Sequence, residues 1–146
     1  MFYSLSNCCF RLFVLLSLVS LNPVLAACKG AISSSEYDAL RSLYGSTGGN
    51  EWQWRSTEVV DTRWSFPSNL AVPCSIPWHG ITCQTATSGS SAHCQILSLA
   101  LPYLNLTGSL PTEIGVFSSL TTLRLNDNQL TGNVAELYVY ANVCVV

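Results

Sequence analysis

The sequence predicts an α/β fold in which a short solenoid with parallel strands follows a disulfide-bonded, partly helical segment. Three observations predict it: a 24-residue pattern written twice, a helical pattern before it, and five cysteines behind an N-terminal export signal. Repeats of this length each supply one short strand and a return segment, and stacking them buries a continuous core. We therefore expect four segments, at residues 1–26, 27–94, 95–132 and 133–146.

Residues 1–26 have the pattern of a secretory signal peptide. Arg11 is followed by an apolar run that ends at Leu21, and Val24 and Ala26 supply the small residues before cleavage. The run is shorter than the about 20 residues that cross a membrane comfortably, although an uncleaved anchor helix is the alternative interpretation. We expect a protein that is secreted or held at the cell surface, with no membrane span beyond this signal.

Little charge remains after cleavage. Without Arg11, the chain has five basic and eight acidic side chains, a net charge of −3. No basic run is left to neutralise a phosphate backbone, so we expect no nucleic-acid partner.

Five cysteines stay in the exported chain: Cys28, Cys74, Cys83, Cys94 and Cys144. An oxidising compartment lets them form disulfides. Four cysteines allow three pairings, and a fifth leaves one thiol unmatched. The alternative is a zinc site, but the absence of a Cys-x-x-Cys pair disfavours it. Its ligands would come from Cys74, His79, Cys83, His93 and Cys94.

The residues after Cys28 predict one amphipathic helix of about ten residues. Ser35 can cap it, and Glu36 lies in the first turn, where the helix dipole favours negative charge. Gly45 ends the pattern. The apolar stripe at helical spacing consists of Tyr37, Ala39, Leu40, Leu43 and Tyr44.

Tryptophans dominate the next stretch, which has no sustained period. Trp52, Trp64 and Trp78 are predicted to form a small core, because buried anchors are commoner than tryptophans that bind sugars or lipids. Residues 85–93, "TATSGSSAH", predict a polar, flexible loop.

The repeat emerges when the chain is aligned on its two Leu-Thr-Gly triplets. Leu99 and Leu101 alternate as inward positions on a strand, and Leu123 and Leu125 do so 24 residues later. The amide of Asn128 can satisfy backbone groups in the turn that follows, whereas the first copy has leucine at that position. The return segment between the copies is expected to bury Leu110, Ile114 and Phe117.

These motifs resemble the plant-type leucine-rich repeat, whose leucine spacing, Leu-Thr-Gly, Leu-Pro, Ile-Gly and phenylalanine all occur within residues 96–128. "ALRSLYGSTGGNEW" and "PCSIPWHGITC" are similar to the N-terminal cap of those proteins. The resemblance covers roughly residues 36–132 and implies a Cys74–Cys83 disulfide, with Trp78 and Gly80 in matching roles. Cys28 and Cys94 lie outside the best-matched motif, and we infer that they pair.

The pattern stops after Gly132. No third leucine strand is recognisable in residues 133–146, which are apolar and contain the unmatched Cys144. Two interpretations remain: a divergent final repeat, or a truncated form of a longer repeat protein. An apolar open edge favours self-association.

No catalytic constellation appears, so we expect neither an enzyme nor a cofactor. Ser90, Ser91 and His93 lie close together, but no Gly-x-Ser-x-Gly elbow or neighbouring acid accompanies them. The sequon at Asn105 predicts an N-glycan in an exported chain.

Function in such a fold lies in the strand residues between the leucines, which face the concave surface. Arg124 is the one charged member and the candidate anchor. We expect an extracellular protein, peptide or glycan ligand, as in the receptor-like ectodomains that the resemblance implies. The alternative is a structural cell-surface or matrix protein that associates through its C-terminal edge and Cys144. The predicted binding residues are Ser98, Ala100, Pro102, Thr122, Arg124 and Asn126.

Overall fold

The computed structural model describes residues 28, 30–54, 62–67, 73–76, 78–88 and 91–132, and the backbone of residues 144–145. The expected signal peptide and most of the expected tail lie outside these residues. The helix α1 spans Ser34–Ser46. The strands are β1 (Ile81–Ser88), β2 (Ser91–Ala100), β3 (Thr107–Gly108), β4 (Thr122–Arg124), β5 (Gln129–Leu130) and β6 (Cys144–Val145).

A four-stranded sheet in the order β1-β2-β4-β6 forms the frame of the molecule. β2, β4 and β6 run parallel, as expected of stacked repeats, whereas β1 pairs antiparallel with β2. β3 and β5 form a second, two-stranded parallel sheet. The predicted α/β fold, with short parallel strands behind a disulfide-bonded, partly helical N-terminal cap, is confirmed.

The helix begins two residues earlier than the sequence predicted. Ser33, not Ser35, is the N-cap: its hydroxyl accepts from the Glu36 amide at 3.2 Å, and the Glu36 carboxylate reaches back to the Ser33 amide. This reciprocal box requires a Ser and a Glu three residues apart, which Ser33 satisfies and Ser35 does not. The buried face of the helix contains Glu36, Ala39, Leu40 and Leu43.

The prediction of a flexible loop at residues 85–93 is wrong. Residues 85–88 and 91–93 belong to the β1–β2 hairpin, in which Ile81 pairs with Leu99 and Ser88 with Ser91. The pairing uses backbone groups, while most side chains of residues 85–93 are small or polar. Hydrophobic alternation therefore gave no signal for these strands.

The core contains the inward leucines of the repeat and the helix side chains packed against them. Leu99 and Leu123, paired across β2 and β4, are both almost fully buried. Ile114 and Phe117 are buried in the return segment, and Leu110 is half-buried. The return segment forms a 3₁₀ turn at Thr112–Val116, against which α1 packs.

The end of α1 joins the repeat through backbone contacts. The Thr107 amide donates to the Thr47 carbonyl at 3.1 Å. Gly108 has φ +73°, and a Cβ there would lie 2.3 Å from the Ser46 carbonyl oxygen, so only glycine allows this close approach.

Candidate binding surface

The six predicted binding residues lie side by side on two parallel strands and their continuations. Ser98 pairs with Thr122 and Ala100 with Arg124 in the register of β2 and β4. The two chains stay paired beyond the strands, because the Leu101 amide donates to the Arg124 carbonyl at 2.8 Å. We call this set the strand face: Ser98, Ala100, Pro102, Thr122, Arg124 and Asn126.

Exposure differs within the strand face. Arg124 is exposed and the other five residues are half-buried. A guanidinium presents five donors and keeps its charge at every physiological pH. The strand face can therefore recognise an acceptor at its middle, where Arg124 lies beside Ala100, and small polar or apolar groups along the rest.

Two neighbouring strands pair with the strands that bear the strand face. Thr82 of β1 pairs with Ser98, and Cys144 of β6 pairs with Thr122. Sequence analysis missed Thr82, because it predicted a flexible loop at residues 85–93 and not the β1–β2 hairpin. The antiparallel register is the only signal that places it there.

A polar pair continues the row beyond β4. The Asn126 side-chain amide donates to the Asp127 carboxylate, which is exposed. Arg124 and Asp127 therefore place opposite charges three residues apart. The described residues contain no group of three or more His, Cys, Asp or Glu side chains arranged to hold a metal ion.

Asn128 holds the turn behind the strand face. Its Oδ1 accepts from the amides of Leu104 and Leu106, at 3.1 and 3.0 Å. Its Nδ2 donates to the carbonyls of Leu101, Leu125 and Asn126, at 2.7, 2.9 and 3.3 Å. One side chain thus satisfies backbone groups in two successive turns, and the first turn can have leucine at position 104.

Two disulfides tie the cap to the sheet. Cys28 pairs with Cys94, and Cys74 with Cys83, each with a Cα–Cα distance of 5.7 Å. Both bonds include a residue of the β1–β2 hairpin. The zinc interpretation is wrong, because its three cysteines, Cys74, Cys83 and Cys94, are all in disulfides, and a disulfide sulfur is not a thiolate ligand.

The tryptophans proposed as the cap core are buried. Trp52 and Trp64 are 4% exposed and Trp78 is 5% exposed, so these three rings offer no surface to a ligand. Each ring contacts the next in a chain of tilted and edge-on pairs. The indole nitrogens of Trp52 and Trp64 donate to the carbonyls of Thr47 and His79.

Gly80 lets the cap approach the strand face. Its φ is +73°, and a Cβ would lie 2.1 Å from the Ala100 carbonyl oxygen. The Ala100 amide donates to the Gly80 carbonyl at 2.8 Å. The cap therefore sets the position of β2 at Ala100, in the middle of the strand face.

The predicted glycosylation residue lies in the turn after β2. Asn105 is half-buried with φ +61°, and its side-chain oxygen accepts from the Gln129 side-chain amide. This contact uses the amide oxygen of Asn105, whereas a glycan is joined to the nitrogen.

Sequence analysis also missed Tyr103. Its side chain is 53% exposed, and its backbone has φ +59°. Asp127, at the equivalent position 24 residues later, has φ +57°. The alignment of the two copies would have paired these residues, but nothing in the sequence indicated a left-handed backbone with tyrosine.

The structure also bears on membrane attachment. Within the described part of the chain, no helix is both long enough and apolar enough to span a bilayer.

The chain is similar to parts of plant receptor-like proteins. No protein-family model matches it. A probable leucine-rich repeat receptor-like protein kinase of Arabidopsis thaliana is 33% identical over 94 residues, 64% of this chain and 8% of the relative. A putative kinase-like protein of the same plant is 42% identical over 77 residues, 52% of this chain and 10% of the relative.

A solved structure shares the fold. The leucine-rich repeat ectodomain of the receptor kinase SOBIR1 from Arabidopsis thaliana superposes with a TM-score of 0.55 at 21% identity, over 80% of this chain and 53% of that one. The chain spans at most about a tenth of the sequence relatives' length. The matched stretch is their leucine-rich repeat region and not their kinase catalytic domain.

Proposed function

Because the chain is a plant-type leucine-rich repeat protein, we propose that it acts as an extracellular recognition module, like a receptor ectodomain, and has no enzymatic activity. Its ligand is a protein, a peptide or a glycan, bound on the strand face. One observation carries the proposal: the register of β2 and β4 places Ser98 beside Thr122 and Ala100 beside Arg124, and backbone hydrogen bonds continue this pairing past the strands toward Pro102 and Asn126. Such rows of strand residues form the extended binding surfaces of repeat proteins.

Arg124 is the anchor in this proposal. It is the exposed member of the strand face, and arginine is enriched among residues that dominate binding energy. Two strands offer less than the about 800 Å² per partner of a standard interface, so we expect micromolar affinity.

Binding is tested with the full chain, secreted by a eukaryotic host and screened against a displayed peptide library and a glycan array. Ala100→Trp should abolish binding of any hit, because a large ring fills the middle of the row. Arg124→Ala should weaken it about tenfold or more. Val116→Ala, in the return segment, is the control and should bind as the natural chain does. A hit unaffected by both strand-face variants, or no hit in either screen, contradicts the proposal.

Export and glycosylation are part of the same proposal. The signal peptide of residues 1–26 is removed, and Asn105 receives a glycan as the chain enters the secretory pathway. Mass spectrometry of the secreted chain should give an N-terminus at Ala27 and a glycan mass on the peptide that contains Asn105. An intact N-terminus would instead indicate the uncleaved anchor.

A second candidate is a structural protein that associates with itself through its C-terminal edge. The observation in its favour is that Cys144–Val145 form the outermost strand of the described sheet, paired on one side with Thr122 and Leu123. Non-reducing electrophoresis distinguishes the two candidates. A dimer that Cys144→Ser removes supports self-association, whereas a monomer at all concentrations counts against it.

A further inference from the structure

The sequon at Asn105 lies in a part of the chain that the fold holds tightly, and we call residues 105–107 the acceptor segment. Its central residue, Leu106, is fully buried. The Leu106 amide donates to Asn128 Oδ1 at 3.0 Å, and the Leu106 carbonyl accepts from the Gln129 amide at 2.8 Å. Both partners belong to the second copy of the repeat, which therefore closes over the middle of the acceptor segment.

The threonine of the acceptor segment is held from another side, by the end of α1. The Thr107 amide donates to the Thr47 carbonyl at 3.1 Å. Thr107 is exposed as a whole, but a Cβ added at Gly48 would lie 2.8 Å from its Oγ1, so the hydroxyl lies against the backbone that follows the helix. The cap and the second copy of the repeat thus hold the acceptor segment together.

The side-chain nitrogen of Asn105 is the part that the fold leaves open. Its oxygen accepts from the Gln129 side chain, whereas Nδ2 makes no hydrogen bond to any residue that the structure describes. A sugar on Nδ2 would leave the bond to the oxygen in place. The folded chain is therefore compatible with an attached glycan.

Attaching that glycan requires more of the acceptor segment than its amide. The signal is defined by the asparagine and by the Ser or Thr two residues later, so the transferase has to contact the Asn105 amide and the Thr107 hydroxyl together. In the folded chain, the acceptor segment has to leave the core before both groups can reach an enzyme. This opening exposes Leu106 and breaks the three backbone contacts described above, so the open form is rare.

We propose that Asn105 accepts its glycan only before the second copy of the repeat closes over the acceptor segment, so that the rate of folding controls how many chains are glycosylated. Asn128 and Gln129 are synthesised after the acceptor segment, by about 1–5 s at ordinary elongation rates. Transfer joins Asn105 Nδ2 to C1 of the sugar, as Nδ2 loses a proton and the lipid diphosphate of the glycosyl donor leaves. The inference rests on the export and glycosylation proposed above.

This order of events predicts two populations of the same chain. A chain whose second copy closes first keeps a bare Asn105, and later encounters with the transferase add no sugar. Conditions that delay folding therefore raise the glycosylated fraction. The Cys28–Cys94 disulfide is one such point of control, because it ties β2 to the segment that precedes α1.

The test compares two forms of the full chain, made without glycan in eukaryotic cells whose donor synthesis is blocked by tunicamycin. One form is oxidised and folded, and the other is reduced and alkylated, which prevents both disulfides. Each is incubated with purified oligosaccharyltransferase and its lipid-linked donor, and mass spectrometry measures the sugar on the peptide that contains Asn105. We expect transfer to the folded form to be at least about 100-fold slower, which corresponds to about 2.8 kcal/mol.

A matched control places the acceptor on an open strand. Thr85→Asn, in an Asn105→Gln background, builds the signal at residues 85–87 of β1, an edge strand of the described sheet on which Thr85 and Thr87 are exposed. Folded and reduced forms of this control should be glycosylated at similar rates. A control that folding slows as strongly as the natural chain would show that the contacts of the acceptor segment are not the cause.

A second measurement needs no variant. Low concentrations of dithiothreitol in the medium of secreting cells delay disulfide formation, and pulse labelling then reports the glycosylated fraction of newly made chains. We expect this fraction to rise with the concentration of dithiothreitol. A fraction that stays constant or falls contradicts the inference.

The outcomes separate the two proposals. No transfer to either form of the natural chain overturns the glycosylation proposal and this inference with it. Equal transfer to the folded and the reduced form overturns the inference alone, and the glycosylation proposal then stands.

Discussion

At the scale of single residues, Asn128 bears more hydrogen bonds than any other side chain in the described repeat. It bonds two amides and three carbonyls, and four of these five groups belong to the inward-facing leucines. A buried backbone group without a partner costs about 1–3 kcal/mol. Stability of the two turns therefore depends on one amide.

Asn128→Leu copies the residue found at the equivalent first-copy position, and we expect it to lower the free energy of unfolding by at least about 2 kcal/mol, because several backbone groups lose their partner together. Urea denaturation measures the change. Asn126→Ala is the control and should stay within about 0.5 kcal/mol, since Asn126 bonds the exposed Asp127. Equal losses in the two variants would contradict this account.

Glu36 is a second residue on which distant segments depend. Its side chain is 4% exposed, and it accepts from the Ser33 amide and hydroxyl on one oxygen and from the Ile96 amide on the other. The Ile96 contact spans 60 residues and fixes α1 to β2.

Glu36→Gln should cost about 1–3 kcal/mol, because the amide nitrogen that replaces one carboxylate oxygen cannot accept the hydrogen bonds made to that oxygen. Asp38→Asn, exposed on the same helix, should change stability little. Both are measured by urea denaturation. If Asp38→Asn proved the more damaging, the Ile96 contact would not be the reason that this helix needs an acid.

At the scale of elements, Gly45 and Gly80 differ in what an added side chain would do to the structure. Gly45 lies inside α1 with open space around its Cβ position, whereas Gly80 has positive φ and faces the Ala100 carbonyl. The same substitution should therefore have opposite effects at the two positions.

Gly45→Ala should stabilise the protein by about 0.5–1 kcal/mol, because alanine loses less conformational freedom in a helix. Gly80→Ala should destabilise it by more than this, because the added carbon collides with the sheet. The thermal unfolding midpoints of the two variants test this expectation. Midpoints that both rise or both fall relative to the natural chain would contradict it.

The helix and the strands differ in how far the sequence predicted them. α1 was located by its apolar stripe, but its start was placed at Ser35, although of the three adjacent serines only Ser33 has the three-residue spacing to Glu36 that a capping box requires. The paired part of residues 85–93 was missed because most of its side chains are small or polar and show no hydrophobic alternation. The strand-face residues followed from the 24-residue period, while the neighbour Thr82 depended on the missed hairpin.

At the scale of the whole molecule, cap and repeat share a strand. The proposed boundary between residues 94 and 95 falls inside β2, which pairs with β1 on one side and β4 on the other. We expect a single cooperative unfolding transition for both parts. Tryptophan fluorescence reports the cap and circular dichroism the strands, and midpoints that differ would show that the parts unfold separately.

The two disulfides should contribute unequally to that transition. Cys28–Cys94 encloses a separation of 66 residues and Cys74–Cys83 one of 9. In the chain-entropy model these loops correspond to about 4 and about 2.5 kcal/mol. Replacing both cysteines of a pair with alanine should destabilise the protein more for the first pair, as urea denaturation would measure. The reverse order would show that native packing, and not chain entropy, determines their value.

Because β1 pairs antiparallel with β2, further parallel repeat strands can be added on only one side of β2. A repeat strand adds to its neighbour in parallel, and β1 occupies that side of β2 with the opposite orientation. Protein engineers who wish to lengthen the array can therefore insert further 24-residue units only on the β4 side. The β1–β2 hairpin then keeps its structure at one edge of the sheet, whatever the number of repeats.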